Sequence, residues 1–337
     1  HDAKHLKELS NSILAQTFKD WEWRILVNNG QSVDEVREIA PHAIVTCTPG
    51  ESGSVGELKR ELCLAAKGGI IVEVDHDDLL TPDALEVVAK TFEENPDAVF
   101  VYSNCAYANK DWTSPQWDAA YGWRYRPFAF EGHDLLETLC PPPVPQELCY
   151  IWYAPDHLRA WRTANYLAIG GHDPGLKILD DHDLMLRTYL HGKMVHIDRC
   201  LYVYRVHGEN TWLAKNADIQ AGTVRLFDKY IYAIAEKWAD EKGLKKVDLC
   251  GGHGTPSGYL SIDRSARADI QADLDGTWPL NDGSVGILRA HDAIEHLKDP
   301  IHTMNEAYRV LAHGGMFMIL VPSTDGRGAF QDPTHVS

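Results

Sequence analysis

Apolar positions in the first hundred residues fall into short blocks whose period changes from one block to the next. Leu6, Leu9, Ile13 and Leu14 recur at helical spacing and predict a helix to about Phe18. "WRILV" (23–27) then reads as a buried strand closing on "NNGQS". A short polar helix is expected near 33–39, a strand at "AIVTC", and a Gly/Ser-rich loop at "TPGESGSVG". The helix "ELKRELCLAAK" leads into "GGIIVEV", a strand ending at Asp75, and the helix over 82–94 leads into the strand "AVFVYS". Alternation of this kind predicts a parallel, doubly wound α/β sheet. Ligands of such sheets bind at the carboxyl ends of the strands, where "NNGQS" and "DHDD" fall.

The pattern lapses over 105–150, which is rich in aromatics and contains "CPPPVP". An irregular substrate-facing region and a long covering loop fit it equally. A helix carrying "DDHDLMLRTYLHG" (180–192) follows, then strands "MVHI" and "CLYVYRVH" and an amphipathic stretch over 213–242. From Lys245 a new strand–glycine-loop pattern begins, "KKVDLCGGHG", continued by "GYLSID", "SVGILRA", a helix over 299–312 and the strand "MFMILVP". The expected organisation is a first domain over 1–212, a linker helix over 213–244 and a second domain over 245–337.

Bulk properties narrow the function. A length of 337 residues suits about two domains. A net charge of −17 argues against non-specific binding to nucleic acid or an anionic membrane, which need a basic face. Seven scattered cysteines with no CxxC pair fit a reducing compartment. No stretch approaches the roughly 18–20 apolar residues of a membrane span. The expectation is a cytoplasmic protein with no integral membrane segment, at most peripheral to the inner face of a membrane.

The chemistry concentrates in "VEVDHDDLL" (72–80). In an extended segment, Asp75 and Asp77 point the same way and could present two carboxylates to one cation. Hard oxygen ligands suit Mg²⁺ or Mn²⁺. Equally, Asp78 caps the next helix and the others are solvated. A second acidic group, Asp180 and Asp181, falls in the first turn of a helix, where carboxylates are also favoured by the dipole. His207 ends a strand, where an imidazole can join a metal site, although a lone His is more often not a ligand.

The blocks "LKELSNSILAQTFKDWEWRILVNNGQ", "VDHDDLLTPDAL", "IGGHDPGLKILDDHDLMLRTYLHG" and "LYVYRVH" stand in the order seen in family 2 glycosyltransferases, which residues 1–212 resemble. The resemblance implies a GT-A fold, a doubly wound nucleotide-diphospho-sugar transferase, and inverting transfer from a nucleotide-sugar donor to a glycan or lipid-linked acceptor. It implies Asp77 and His207 as ligands of Mn²⁺ or Mg²⁺, Asp75 near the ribose or the metal waters, and Asp181 as general base. Asp180 replaces the family's Glu and is assigned to the donor. Lys59 and Arg60 either contact the diphosphate or are ordinary helix charges; Arg60 is taken as the donor contact. Asn28 and Asn29 stand where the family carries an acidic pair that reads the nucleobase. The family's first strand would precede residue 1, and the chain is expected to be truncated there.

"VDLCGGHGTPSGYLSID", "ADIQADLDGTWPLNDGSVGILRAHDAIEHLKDP" and "EAYRVLAHGGMFMILVPS" resemble class I S-adenosylmethionine-dependent methyltransferases. The resemblance implies a Rossmann-like domain with Asp248, Gly251 and Gly254 at the methionine part of S-adenosylmethionine, Asp263 at the ribose and Asp273 near the adenine. His291, Glu295 and His296 either lie near the transferred methyl or are structural. The covering antiparallel strands would follow Ser337, so weak cofactor binding is expected. Two other readings stand beside the bifunctional enzyme. One is a degenerate, non-catalytic nucleotide-binding module; the other is a glycoside hydrolase using paired carboxylates, with no metal requirement.

Overall fold

The computed structural model describes residues 3–28, 30–48, 53–151, 155–208, 210–252, 254–323 and 335. The chain forms two compact units, His1–Pro143 with Glu147–Asp228, and Val144–Gln146 with Lys229–Ser337. The first contains α1 (Ala3–Leu14), β1 (Arg24–Val27), α2 (Val33–Ile39), β2 (Ile44–Cys47), α3 (Val55–Ala65), β3 (Ile70–Glu73), β4 (Leu79–Leu80), α4 (Ala84–Glu94) and β5 (Ala98–Ala108). It continues with β6 (Tyr125–Phe130), β7 (His133–Thr138), α5 (Pro145–Tyr150), β8 (Arg159–Arg162), α6 (Thr163–Ala168), α7 (Asp180–His191), β9 (Lys193–Arg205), α8 (Thr211–Ala214) and the start of α9 (Asn216–Glu241). The division between the units falls inside α9, at Asp228 and Lys229, and the first two residues of α5, Pro145 and Gln146, go with the second unit.

Helical periodicity explains the first elements. Leu6, Leu9 and Ile13 of α1, and Ala84, Val88 and Phe92 of α4, put one stripe of each helix into a common core with Val101 and Leu201. β1 and β2 form a parallel pair. β5 is buried along almost its whole length, as a central strand covered on both faces must be.

The main sheet is mixed rather than uniformly parallel. Its order is β3-β8-β5-β7-β6, with β9 on β5 and β4 on β9. Only the β5–β9 pairing is parallel; β8 lies antiparallel between β3 and β5. The irregular stretch over 105–150 instead prolongs β5 to Ala108 and folds a hairpin, β6–β7. Glu131 and Gly132, both at positive φ, make its two-residue turn. The two strands expected near 194–207 are one strand, β9, whose polar "DR" is accommodated by register shifts against β5.

The second unit contains β10 (Lys245–Leu249), β11 (Leu260–Asp263), β12 (Ile270–Gln271), β13 (Val285–His291), α10 (Pro300–Val310) and β14 (Leu311–Leu320). All five strands are parallel, in the order β12-β11-β10-β13-β14. The order reverses at β10, so its carboxyl end is the topological switch point, and the glycine loop from Cys250 begins there. Val247, Leu249, Ile262, Trp278 and Leu288 fill the core. Asp299 caps α10 by accepting from Ile301 N and His302 N, with Pro300 in the first turn. Among the described residues, no helix is long and apolar enough to cross a membrane.

Candidate active site

A cleft of about 1730 Å³ opens in the first unit. It is lined from β1 by Asn28, from α3 by Lys59, from the turn after β3 by Asp75 and Asp77, from α7 by Asp180 and Asp181, and beyond β9 by His207. Asn29 lies outside the described residues.

β3 stops at Glu73, and residues 75–78 form a turn in which Asp78 N donates to Asp75 O. Both Asp75 and Asp77 reach the cleft through this turn rather than through an extended strand. Asp77 Oδ2 lies 2.8 Å from His207 Nε2. Burial alone would raise its carboxyl, but His76 and His207 outweigh it and hold the pKa below the usual carboxylate value. His207 is positioned through its backbone, whose N–H donates to Asn210 Oδ1 at 2.6 Å. Asp75 lies 3.6 Å from Lys59 Nζ and 4.0 Å from His157 Nε2.

Asp78 does not cap a helix. It is buried, and its two oxygens accept from Arg205 N and Tyr202 Oη, each at 2.8 Å, so it ties the turn to β9. Tyr202 Oη also accepts from Asp75 N at 3.1 Å. Burial and then the charges of Asp75 and Asp77 push the Asp78 carboxyl well above its usual range.

On the opposite wall, α7 begins abruptly. Leu179 occupies the left-handed region at φ 61°, a strained conformation for leucine, and from it Asp180 and Asp181 enter the first turn. Asp181 Oδ2 accepts from Arg159 Nη1 at 2.9 Å. Burial would raise the Asp181 carboxyl, yet Arg159 and Lys59 prevail and lower it, so it is ionised. Arg159 is itself buried and donates from Nε to Pro155 O.

Asp180 points away from solvent. Among the described residues its Oδ2 has no hydrogen-bond partner; it lies 3.9 Å from His172 Nε2, and burial with the Asp181 charge pushes the carboxyl up to about 7. Burial keeps His172 neutral, with a pKa of about 4, despite Glu73 at 3.8 Å. Lys59 sits between Glu73 and Asp75. Burial disfavours its charge, but the two carboxylates reverse that and hold its pKa well above the usual value. Gly56 allows this packing: a Cβ there would meet Asp180 Cβ at 2.8 Å and Asp173 O at 2.9 Å.

The cleft thus gathers Asn28, Asp75, Asp77, Asp180, Asp181 and His207. Arg60 is not among its lining residues; its Nε donates to Gly170 O at 3.0 Å. Lys59, one residue earlier, is the α3 cation facing the cleft. Arg159, Glu73 and His172 were not anticipated. The one local signal was Glu73, a charge inside an otherwise apolar strand. Tyr107, Trp112, Trp117 and Trp123 add an aromatic wall from the stretch without a clear period. The donor set of Asp77 and His207, one carboxylate and one imidazole, suits a divalent cation such as Mn²⁺.

In the second unit, the glycine loop packs against two strand-end acids. A Cβ on Gly251 would meet Thr255 Oγ1 at 2.2 Å and Asp248 Oδ2 at 2.4 Å, and one on Gly252 would come within 3.4 Å of Asp263 Oδ2. Gly254 N closes the turn on Gly251 O. The close approach at Gly251, which leaves no room for a Cβ, beside a strand-end carboxylate fits a nucleoside ligand. Asp248 is paired with Arg289 at 2.6 Å, while Asp273 is half-exposed and held by Arg264 at 2.6 Å.

Residues 2–145 match the profile of glycosyl transferase family 2, and residues 255–319 match a methyltransferase domain profile. The chain joins a family 2 glycosyltransferase domain to a methyltransferase domain. The glycosyltransferase domain has the GT-A fold and the methyltransferase domain a Rossmann-like one. A chondroitin synthase of Pasteurella multocida (strain Pm70) is 25% identical over 225 residues, 65% of this chain and 21% of that protein. A hyaluronan synthase of Pasteurella multocida is 24% identical over 220 residues, 63% of this chain and 20% of that protein. The chain therefore spans about a fifth of the length of these relatives. Among solved structures, S. aureus TarS 1–349 in complex with UDP is similar at 17% identity, covering 68% of this chain and 67% of that one, with a TM-score of 0.45.

Proposed function

We propose that the glycosyltransferase domain is a metal-dependent, inverting enzyme moving a sugar from a nucleotide-diphosphate donor to a hydroxyl of a glycan or lipid-linked acceptor. The convergence of the Asp77–His207 pair and the ionised Asp181 on one cleft carries this reading. Asp77 and His207 would hold Mn²⁺ or Mg²⁺, with Asp75 beside them. When bound, the cation supplies electrostatic stabilisation for the charge developing on the departing diphosphate. Asn28, just past the end of β1, is assigned to the nucleobase together with Asn29, and Lys59 takes the diphosphate role expected of Arg60.

Asp181 is the general base. It accepts the proton of the acceptor hydroxyl as that oxygen bonds to the anomeric carbon. The bond from that carbon to the diphosphate breaks on the opposite face, and its electron pair leaves with the nucleoside diphosphate. Arg159 holds Asp181 ionised and oriented. Asp180, whose carboxyl is pushed up to about 7, is assigned to the donor side. The aromatic wall offers apolar faces to acceptor sugar rings. Both relatives above are named synthases of sugar polymers, which favours a glycan as acceptor. The methyltransferase domain is proposed to bind S-adenosylmethionine, an electrophilic methyl donor, through Asp248, Gly251, Gly254 and Asp263. Asp273, held by Arg264, is left near the adenine.

A nucleotide-sugar panel with Mn²⁺ or Mg²⁺ tests this reading. Asp181→Asn should lower kcat by about 10²–10⁴-fold while donor binding persists. Asp77→Ala should abolish the metal-dependent part of donor binding. Unchanged turnover in either variant removes the role given to that residue.

A further inference from the structure

A carboxylate in the methyltransferase domain poses a separate problem. Glu295 lies in the short turn Ile294–His296 after β13 and is only 5% exposed. Among the described residues, neither of its carboxylate oxygens has a hydrogen-bond partner. Protein interiors rarely leave a carboxylate in that condition, because losing water costs several kcal/mol (on the order of 1–3 even for a neutral polar group) unless something positive or donating replaces it.

Two imidazoles converge on the same place. One carboxylate oxygen of Glu295 and one ring nitrogen each of His296 and His335 lie within 4.8 Å of one another. The His296 and His335 rings meet edge to face, with centroids 4.9 Å apart. A cation bound at about 2.0–2.2 Å by such atoms holds its ligands roughly 3.3–4.3 Å apart, a contraction within reach of side-chain torsions.

We propose that Glu295, His296 and His335 form a binding site for a first-row divalent cation of the Zn²⁺ class. Two imidazoles and one carboxylate are borderline ligands that favour Zn²⁺ or its neighbours over Mg²⁺ and Ca²⁺, which prefer oxygen-only shells. The cation answers the charge of Glu295 and clips His335 to the carboxyl end of β13, closing a long loop of chain. It is distinct from the Asp77–His207 pair, which belongs to the other unit.

The test uses the full chain, stripped with a chelator and titrated with Zn²⁺ against a chromophoric competitor. Glu295→Gln, His296→Ala and His335→Ala are compared with Asp77→Ala. Each of the first three should take up one tight equivalent fewer than wild type, and Asp77→Ala should retain that equivalent. Co²⁺ should give a visible d–d absorption that the same three variants lose. Equal Zn²⁺ uptake by wild type and His335→Ala would overturn the proposal. His335 is half-buried and outside the hydrophobic core, so this variant remains informative should Glu295→Gln fail to fold.

Discussion

Asp77 and Asp78 are neighbours in sequence with opposite assignments, one facing the cleft and one facing the fold. Removing the Asp78 carboxylate leaves Arg205 N–H and Tyr202 O–H without their acceptor. Asp78→Ala should cost about 1–3 kcal/mol in denaturant unfolding. Asp78→Asn keeps an acceptor for Arg205 N and cannot ionise, as suits a carboxyl whose charged form burial disfavours, and should lie near wild type. Equal losses in both would show that the carboxyl group itself, and not merely an acceptor for Arg205 N, holds β9. Asp180 makes a pH prediction. Its folded pKa of about 7 exceeds its usual 3.8, so the folded state retains a proton that the unfolded chain releases. That contribution is complete below about pH 4 and is lost as pH rises through 7. Asp180→Asn never charges, so its melting temperature relative to wild type should climb between pH 4 and 7. A flat difference across that range would mean Asp180 does not titrate there.

At the level of elements, the approach of α3 to α7 sets the site. Gly56→Ala gains about 1 kcal/mol of helix propensity. The new methyl, however, meets the Asp173 carbonyl, a backbone atom that no rotamer change can move. The clash should prevail, with a net loss of about 1–2 kcal/mol and a lower donor affinity because Lys59 moves with α3. An unchanged denaturation midpoint would place slack between the helices. The same pair marks how far the sequence could be read. β3 with its terminal acids, and α7 with its first-turn Asp180 and Asp181, were legible because apolar runs ending in charges are local signals. Lys59 against Arg60 was not, since neighbouring helical positions differ by about 100° and only the packed phase decides which faces the cleft. The hairpin β6–β7 was hidden for another reason. Pro127 breaks the strand signal, and β6 is an edge strand with a ragged burial pattern. Contacts such as Arg159 on Asp181, or Glu73 beside His172, join distant segments and leave no mark on either one.

For the whole molecule, the two matched profiles fall largely on the two compact units, each with sheet and core residues of its own. The alternation of helices and strands indicated both, though the expected linker helix is shared between the units instead of separating them. The β5–β9 pairing has a further consequence for synthesis. Parallel neighbours cannot be joined by a tight turn, and contacts between distant segments form late because the intervening chain must be closed first. Asp77 and His207 stand 130 positions apart. A nascent chain that has emerged only as far as β8 carries Asp75, Asp77 and Asp78 with no Tyr202, Arg205 or His207 to receive them. On the proposed function, a cation or donor held by both halves could not template the early steps, and would stabilise the domain only after β9 has left the ribosome and docked.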